Sequence, residues 1–212
     1  MYHIEILNTR YDTDTDLYQL LRYIYFPAKV YEDTIRPICN SKVCTGCEPF
    51  LFPRSLEHDA GYVHLLMSLN NQIYSYDRGD LAKHRIISFS PDDYVFPADL
   101  DSLGRAVINY YASHGYIASY AVHKDTPHVH LHVVVDAYRY TDGNRFSLYF
   151  ELQDLCGIVA RWYASHIDRI ERSPRLKARY EKVLFGDSLR YESVPLSAAE
   201  QIAMNRKAQC DR

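Results

Sequence analysis

The sequence lacks two features that would place it in common classes of protein. No run of apolar residues is long enough to span a bilayer, and residues 1–5 lack the basic-then-apolar pattern of an export signal. The chain also has no excess of positive charge, because 24 Lys and Arg residues stand against 27 Asp and Glu residues. We therefore expect a cytoplasmic protein without membrane insertion, in which any DNA contact is local rather than based on bulk positive charge.

Neither an internal repeat nor a low-complexity tract interrupts the 212 residues, of which 47% are apolar. That length and composition suit one compact domain. We expect its core to end near residue 170 and residues 171–212 to form a C-terminal helical extension. The five cysteines are an odd number, which favours reduced thiols or metal ligands over a disulfide framework.

Three of the cysteines fall in a stretch from Lys29 to Arg54 that shows no periodic pattern. Cys39, Cys44 and Cys47, with His58 beyond them, contain one Cys-x-x-Cys pair and no second close pair. This spacing indicates a zinc site only weakly, and an ordinary loop is the alternative.

The spacing of apolar residues predicts the order of strands and helices. That order is strand, helix, strand, helix, strand, strand and helix, at residues 2–7, 17–26, 84–90, 100–114, 117–123, 130–138 and 148–162, with two weaker helical segments after Pro174. It predicts an α+β fold with a mainly antiparallel central sheet flanked by helices, which we expect on one side of the sheet.

The most informative segment is the run His123-Lys-Asp-Thr-Pro-His128-Val-His130-Leu-His132. Alternate residues of a strand share a face, so the last three of these histidines should point the same way. Packing rarely needs three imidazoles in a row, and the short Asp-Thr-Pro connection can bring His123 alongside them. The pattern predicts a divalent-metal site with a position open to a substrate oxygen. The alternative is the solvated face of an amphipathic strand.

The pattern His-x-Asp-x-x-His-x-His-x-His, followed by apolar residues, resembles the third motif of plasmid-mobilisation relaxases in the HUH endonuclease superfamily. The stretch His84-Arg-Ile-Ile-Ser-Phe-Ser-Pro-Asp resembles the strand before that family's central helix. The resemblance implies a relaxase-like palm that holds a divalent cation, Mn²⁺ or Mg²⁺ before Zn²⁺. It implies metal ligands at His123, His130 and His132, with His128 as a neighbour or an alternative ligand.

A second resemblance concerns the nucleophile. The stretch from Leu21 to Lys29 is similar to the first motif of the relaxases, which implies that Tyr23 attacks DNA. Tyr25 is the alternative, because only one of the two can face the metal on a helix. Relaxases nick one strand at an origin of transfer, keep its 5′ end as a phosphotyrosine and later rejoin it during conjugative mobilisation.

The resemblance also implies partners and supporting residues. The partners are single-stranded origin DNA with a hairpin, and the accessory and coupling proteins of a transfer system. Asp125 is a catalytic candidate that could orient an imidazole. The basic cluster Lys83, His84 and Arg85 is a candidate DNA contact, although a solvated strand end would have the same composition.

Two other functions stay open at the level of sequence. The run from His128 to Val135 also satisfies the pattern of histidine-triad nucleotide hydrolases and transferases, which need no metal, but His123 has no counterpart there. A catalytically idle relaxase-like DNA-binding protein is the second alternative. The net acidity favours it, as does Asp136, where the family more often has Asn.

Overall fold

The computed structural model describes residues 2–25, 42–44, 60–74, 79–90, 92–124, 126 and 128–185. Within these ranges the chain forms five β-strands and five α-helices. In chain order they are β1 (Tyr2–Leu7), α1 (Asp14–Tyr25), β2 (Lys42–Cys44), α2 (Ala60–Tyr74), β3 (Ala82–Phe89), α3 (Leu100–Ser113), β4 (Tyr116–His123), β5 (Val129–Arg139), α4 (Glu151–Glu171) and α5 (Pro174–Phe185).

The five strands form one sheet in the order β1-β3-β5-β4-β2, and every neighbouring pair is antiparallel. The central strand, β5, is flanked by β3 and β4. It is buried along almost its whole length, so its alternate side chains are covered on both faces. The arrangement confirms the α+β fold with an antiparallel central sheet that the sequence predicts.

The two faces of the sheet carry different helices. Odd-numbered residues of β5, including Leu131 and Val133, pack in one apolar cluster with side chains of α3 and α4. On the opposite face, Val134 of β5 and Ala121 of β4 pack in a second cluster with side chains of α1 and α2. The prediction that helices lie on one side of the sheet is therefore wrong.

Helix α2 was not predicted from the sequence, because its apolar residues are distributed around the whole circumference of the helix and do not lie along one side. Val63 and Met67 are buried, whereas Leu65, Leu69 and Ile73 are exposed. Strand β2 was also missed, since it contributes only three residues from the cysteine-containing stretch that was predicted to be irregular.

The start of α1 is fixed by hydrogen bonds between Thr13 and Asp16. The backbone N–H of Asp16 donates to the Thr13 hydroxyl, and the backbone N–H of Thr13 donates to the Asp16 carboxylate. These reciprocal bonds match a capping box and satisfy donors that a helix start otherwise leaves exposed. Leu17, Leu21 and Ile24 are then buried against the sheet, which sets the rotation of α1 over the face that carries the histidines.

The remaining elements agree with the predicted pattern, with small shifts at their ends. Gly115, just after α3, and Gly143, in the turn after β5, adopt φ angles of 81° and 70°, which glycine accepts more readily than other residues. Helix α4 begins at Glu151 rather than near residue 148. Of the two weaker helical segments predicted after Pro174, the described residues contain one helix, α5, which begins at Pro174 itself. Residues 186–212 lie outside the described ranges. No helix in the described part of the chain has the length and apolarity needed to cross a membrane.

Candidate metal centre

Three histidines of the predicted motif converge at the end of the β4–β5 hairpin. His123, His130 and His132 each offer one ring nitrogen, and these nitrogens lie within 4.8 Å of one another. The ring centroids of His123 and His132 are 4.3 Å apart, and those of His130 and His132 are 4.9 Å apart. Such spacing allows one small ion to be reached by all three rings.

The strand register explains why these three meet. His123 is the last residue of β4 and pairs directly with His130 of β5. His132 pairs with Ala121, two residues further from the connection between the strands. Because side chains alternate along a strand, His130 and His132 project from the same face of β5, and their pairing puts His123 beside them.

In each of the three rings, one nitrogen is engaged by another group. His123 Nε2 lies 2.6 Å from the carbonyl oxygen of Ile24, and His130 Nδ1 lies 2.9 Å from that of His128. His132 Nδ1 lies 2.8 Å from Nε2 of His84. A metal-binding histidine commonly donates its second ring N–H in this way, which fixes the ring and turns the other nitrogen towards the ion.

The protonation of His132 fits a ligand role. Burial, followed by the neighbouring imidazoles of His123, His84 and His130, lowers the pKa of His132 to about 2. Burial is also the main reason that the pKa of His84 falls to about 4. Both rings are therefore neutral near pH 7, and neutral imidazole is the form that binds metals.

His132 also contains a buried nitrogen, Nε2, that can accept a hydrogen bond or bind a metal ion. Among the residues that the structure describes, its Nε2 has no hydrogen-bond partner. Leaving such an atom unpaired in the interior costs about 1–3 kcal/mol, so it normally has a ligand, ion or water. The donor set of three imidazoles therefore fits a divalent transition-metal ion.

Tyr23 and Tyr25 have different environments although they belong to one turn of α1. Tyr23 is 47% exposed, and its ring centroid lies 5.6 Å from that of His132 and 5.9 Å from that of His123. Tyr25 is only 3% exposed, and its hydroxyl is 2.8 Å from that of Ser119. The structure thus brings Tyr23, rather than Tyr25, to the accessible side of the histidine cluster.

A cavity of about 490 Å³ opens beside Tyr23 and reaches His84 and His132. The segment between β1 and α1 contributes Arg10 and Tyr11 to its wall, and α1 contributes Gln19. Its size is within the usual range of ligand pockets. Its mixture of aromatic, cationic and amide side chains suits a nucleotide, since bases stack on aromatic rings and phosphates attract guanidinium groups.

The other predicted site residues are distributed more widely. His128 is exposed just before β5 and is not a member of the converging group. Lys83 is partly exposed and forms an ion pair of 2.6 Å with Asp80. His84 and Arg85 are 4% and 3% exposed. His84 nevertheless lines the cavity beside Tyr23, so its contact with DNA stays a prediction, whereas Arg85 is buried elsewhere.

Arg85 is buried on the face of the sheet opposite the histidines. Its guanidinium donates two hydrogen bonds, of 2.8 and 2.9 Å, to the two carboxylate oxygens of Glu151. The Tyr111 hydroxyl donates a further bond of 2.7 Å to Glu151. The residue is therefore part of the packing between β3 and α4 and has no surface available for a phosphate.

Several predicted residues lie outside the described ranges. They include Asp125, the end of the tyrosine motif from residue 26 to Lys29, and Cys39, Cys47 and His58 of the weak zinc pattern. For Cys44 the structure describes only the backbone, as the last residue of β2.

The sequence prediction missed the role of His84 within the cluster and the contribution of Tyr11 to the cavity. Side chains alternate between the two faces of a strand, so the sequence alone indicates that His84 and Arg85 of β3 lie on opposite faces. The register that sets His84 near His132, however, depends on the pairing of β3 with β5, two strands separated by α3 and β4.

An antiparallel sheet that directs three histidines to one point, beside an exposed tyrosine, is the architecture expected of a relaxase-type nuclease. The relaxase family described as MobA/VirD2-like, nuclease domain, matches residues 54–166 of this chain. The match covers more than half of the 212 residues, and the chain belongs to this family. A search of curated proteins finds no match.

Membership identifies the chain, in general terms, as a DNA relaxase. Proteins of this family are metal-dependent nucleases that bind single-stranded DNA. The matched residues contain all three converging histidines and His84, whereas α1 with Tyr23 precedes them.

Proposed function

We propose that this protein nicks single-stranded DNA at an origin of transfer through attack by Tyr23, and later rejoins the strand. The observation that carries the proposal is the position of Tyr23, half exposed and within 5.9 Å, between ring centroids, of both His123 and His132. A nucleophile must reach both the DNA and the group that stabilises the phosphate, and this position meets both needs.

The bond changes follow from the chemistry of a phenol and a phosphodiester. The Tyr23 hydroxyl oxygen forms a bond to phosphorus while the bond from phosphorus to the 3′ oxygen breaks. The phenolic proton is lost and the departing 3′ oxygen gains one, which leaves a 5′-phosphotyrosine and a free 3′-hydroxyl. One phosphate ester replaces another, so a 3′-hydroxyl can reverse the reaction and reseal the strand.

We propose His123, His130 and His132 as the residues that hold a divalent cation; the resemblance to relaxases implies Mn²⁺ or Mg²⁺, and the three imidazoles also suit Zn²⁺. Such an ion would polarise a non-bridging oxygen of the scissile phosphate and stabilise its developing charge. The chain itself orients each ring through its second nitrogen, and the cover of α1 over the cluster limits access of water. The convergence of three ligand nitrogens and the unsatisfied Nε2 of His132 support this assignment.

The cavity beside Tyr23 supports single-stranded DNA as the substrate. Arg10 can contact a phosphate and Tyr11 can stack on a base, and both lie on the same wall. A duplex would cover the bases that such a cavity receives. We therefore propose that the substrate is a single strand exposed beside an origin hairpin. We further propose that the protein acts in the cytoplasm together with the accessory and coupling proteins of a transfer system.

The test is the formation of a covalent adduct. Purified protein is incubated with Mn²⁺ and labelled single-stranded oligonucleotides that tile an origin region, and the products are separated in SDS. We expect a labelled protein band with Mn²⁺ and none with a chelator. Nucleotide hydrolysis that persists in chelator would instead identify a histidine-triad enzyme, and DNA binding without any adduct would identify a catalytically idle protein.

A further inference from the structure

A fourth buried histidine lies beside the candidate metal centre and contacts one of its three histidines. His84, on β3, lies with its ring against that of His132, at a centroid distance of 5.1 Å and an interplanar angle of 28°. Its Nε2 is 2.8 Å from His132 Nδ1, and both residues are almost fully buried. A hydrogen bond this short and buried constrains the ring that it reaches.

His84 is itself held from its other side. Its Nδ1 lies 3.2 Å from the hydroxyl of Tyr11. The backbone N–H of Tyr11 donates to Asp80, which also pairs with Lys83. The segment before α1 is therefore tied to the start of β3, and its tyrosine ends a chain of contacts that runs through His84 to His132.

His132 differs from the other two proposed ligands in this respect. The second nitrogens of His123 and His130 lie against main-chain carbonyl oxygens, which can only accept a hydrogen bond. The partner of His132 is an imidazole, which can either donate or accept. The direction of the bond therefore depends on which nitrogen of the neutral His84 ring carries its hydrogen, and this also sets the tautomer of His132.

We propose that His84, held by Tyr11, is a positioning residue that keeps His132 in the tautomer able to bind metal through Nε2. In this arrangement His84 Nδ1–H donates to the Tyr11 oxygen, and His132 Nδ1–H donates to His84 Nε2. The lone pair of His132 Nε2 then faces the ion. The inference rests on the metal centre proposed above, and it assigns to His84 a role in addition to the DNA contact that the sequence suggested.

The test compares two substitutions of His84 with a matched control. His84→Phe keeps a ring of similar size and removes the acceptor, whereas His84→Gln keeps an amide oxygen that can accept from His132 Nδ1–H. His166→Phe makes the same exchange at a buried histidine that stacks on Trp162 of α4 and is not one of the three converging histidines. Circular dichroism establishes that each variant is folded.

Two readouts are measured on each full-length variant. Calorimetric titration with Mn²⁺ gives the metal affinity. We expect His84→Phe to weaken it by roughly 10–100-fold, the range for outer ligands of metal sites, while His84→Gln recovers most of it and His166→Phe leaves it unchanged. Long-range ¹H–¹⁵N correlation spectra of the metal-free protein report which nitrogen of each imidazole carries the proton.

The spectra decide the proposal even if the wild-type protein binds no Mn²⁺, a result that would count against the proposed function instead. We expect His132 to carry its proton on Nδ1 in the wild type and to lose that preference in His84→Phe. A wild-type His132 protonated on Nε2 overturns the proposal. So does a His84→Phe variant that keeps both the tautomer and the metal affinity of the wild type.

Discussion

The two faces of the sheet at its central strand, β5, differ in the hydrogen-bond partners of their buried polar groups. On the face covered by α3 and α4, the buried Arg85 of β3 is matched by both carboxylate oxygens of Glu151. On the face covered by α1 and α2, three histidines converge and the Nε2 of His132 has no partner among the described residues. The guanidinium of Arg85 and the carboxylate of Glu151 therefore satisfy each other, whereas His132 keeps a buried nitrogen that a ligand could reach.

The largest expected effect separates the two tyrosines on the histidine face. Tyr23→Phe should abolish the covalent DNA adduct, because it removes the oxygen that attacks phosphorus in the proposed reaction. Tyr25→Phe should leave the adduct, since that hydroxyl bonds to Ser119 in the interior. The measurement is the amount of labelled protein in SDS at equal protein and Mn²⁺ concentrations.

The control for Tyr23→Phe and Tyr25→Phe is the free energy of unfolding, which Tyr25→Phe should lower more than Tyr23→Phe. Tyr25→Phe removes a buried hydrogen bond and leaves the Ser119 hydroxyl without that partner, at a cost of about 1–3 kcal/mol in the free energy of unfolding. Tyr23→Phe should cost much less, because the side chain is half exposed. An adduct that survives Tyr23→Phe and disappears with Tyr25→Phe would reverse the assignment.

The next effect concerns the metal. His132→Ala should weaken Mn²⁺ binding by more than the roughly 100-fold that marks the loss of an outer partner, because it removes a ligand. His128→Ala is the matched control, because His128 is exposed and its hydrogen bond with His130 uses the main-chain carbonyl, which the substitution keeps. Calorimetric titration measures the Mn²⁺ affinity of both variants. An equal loss of affinity in the two would show that the ligands are not the proposed His123, His130 and His132.

The opposite face should respond in stability and not in metal binding. Leu131 lies between His130 and His132 but is fully buried in the cluster with α3 and α4. Leu131→Ala should lower the free energy of unfolding by about 2–5 kcal/mol through lost burial and a cavity. Urea unfolding of the metal-free protein measures this change. A folded variant that has lost Mn²⁺ binding would mean that the two faces are not independent.

The smallest effect is a pH dependence at Asp136, near the other end of β5. Burial is the main reason that the pKa of Asp136 rises from its ordinary 3.8 to about 8, although hydrogen bonds from Asn70 and the backbone oppose the rise. The folded state then keeps a proton that the unfolded state has already released. Stability from this group is therefore present at low pH and is lost as pH rises through the folded pKa.

Between about pH 7 and pH 8, the free energy of unfolding should fall by about 1 kcal/mol in the wild type. Asp136→Asn should flatten this slope because it removes the titrating group. The measurement is urea unfolding in chelator over that interval, which lies above the range where the lowered pKa of His132 contributes. A slope that is the same in both proteins would assign the pH dependence to other groups.

Local patterns predicted most elements of this fold, since they depend on neighbours in the chain. The alternation around His130 and the apolar spacing of Leu17, Leu21 and Ile24 indicated a strand and a helix that the structure contains. Helix α2 could not be predicted, because its apolar residues include the exposed Leu65 and Ile73. It packs together with α1 on the face of the sheet that carries the histidines.

The candidate site was predictable as far as it is local. His123, His130 and His132 belong to one hairpin, so their convergence follows from a short connection and strand alternation. The environments of Tyr23 and His84 depend on how α1 crosses the sheet and how β3 pairs with β5. Those contacts join distant parts of the chain, and spacing in the sequence carries no direct signal for them.

The most direct test of the central claim is to identify the residue that carries the DNA. Trypsin cuts after Arg22 and Lys29, so one peptide contains both Tyr23 and Tyr25, and fragmentation in a mass spectrometer distinguishes them. For an adduct formed with Mn²⁺ and then digested with nuclease, we predict a 5′-phosphonucleotide on Tyr23. A nucleotide on Tyr25, on any histidine, or on another part of the chain would contradict the account.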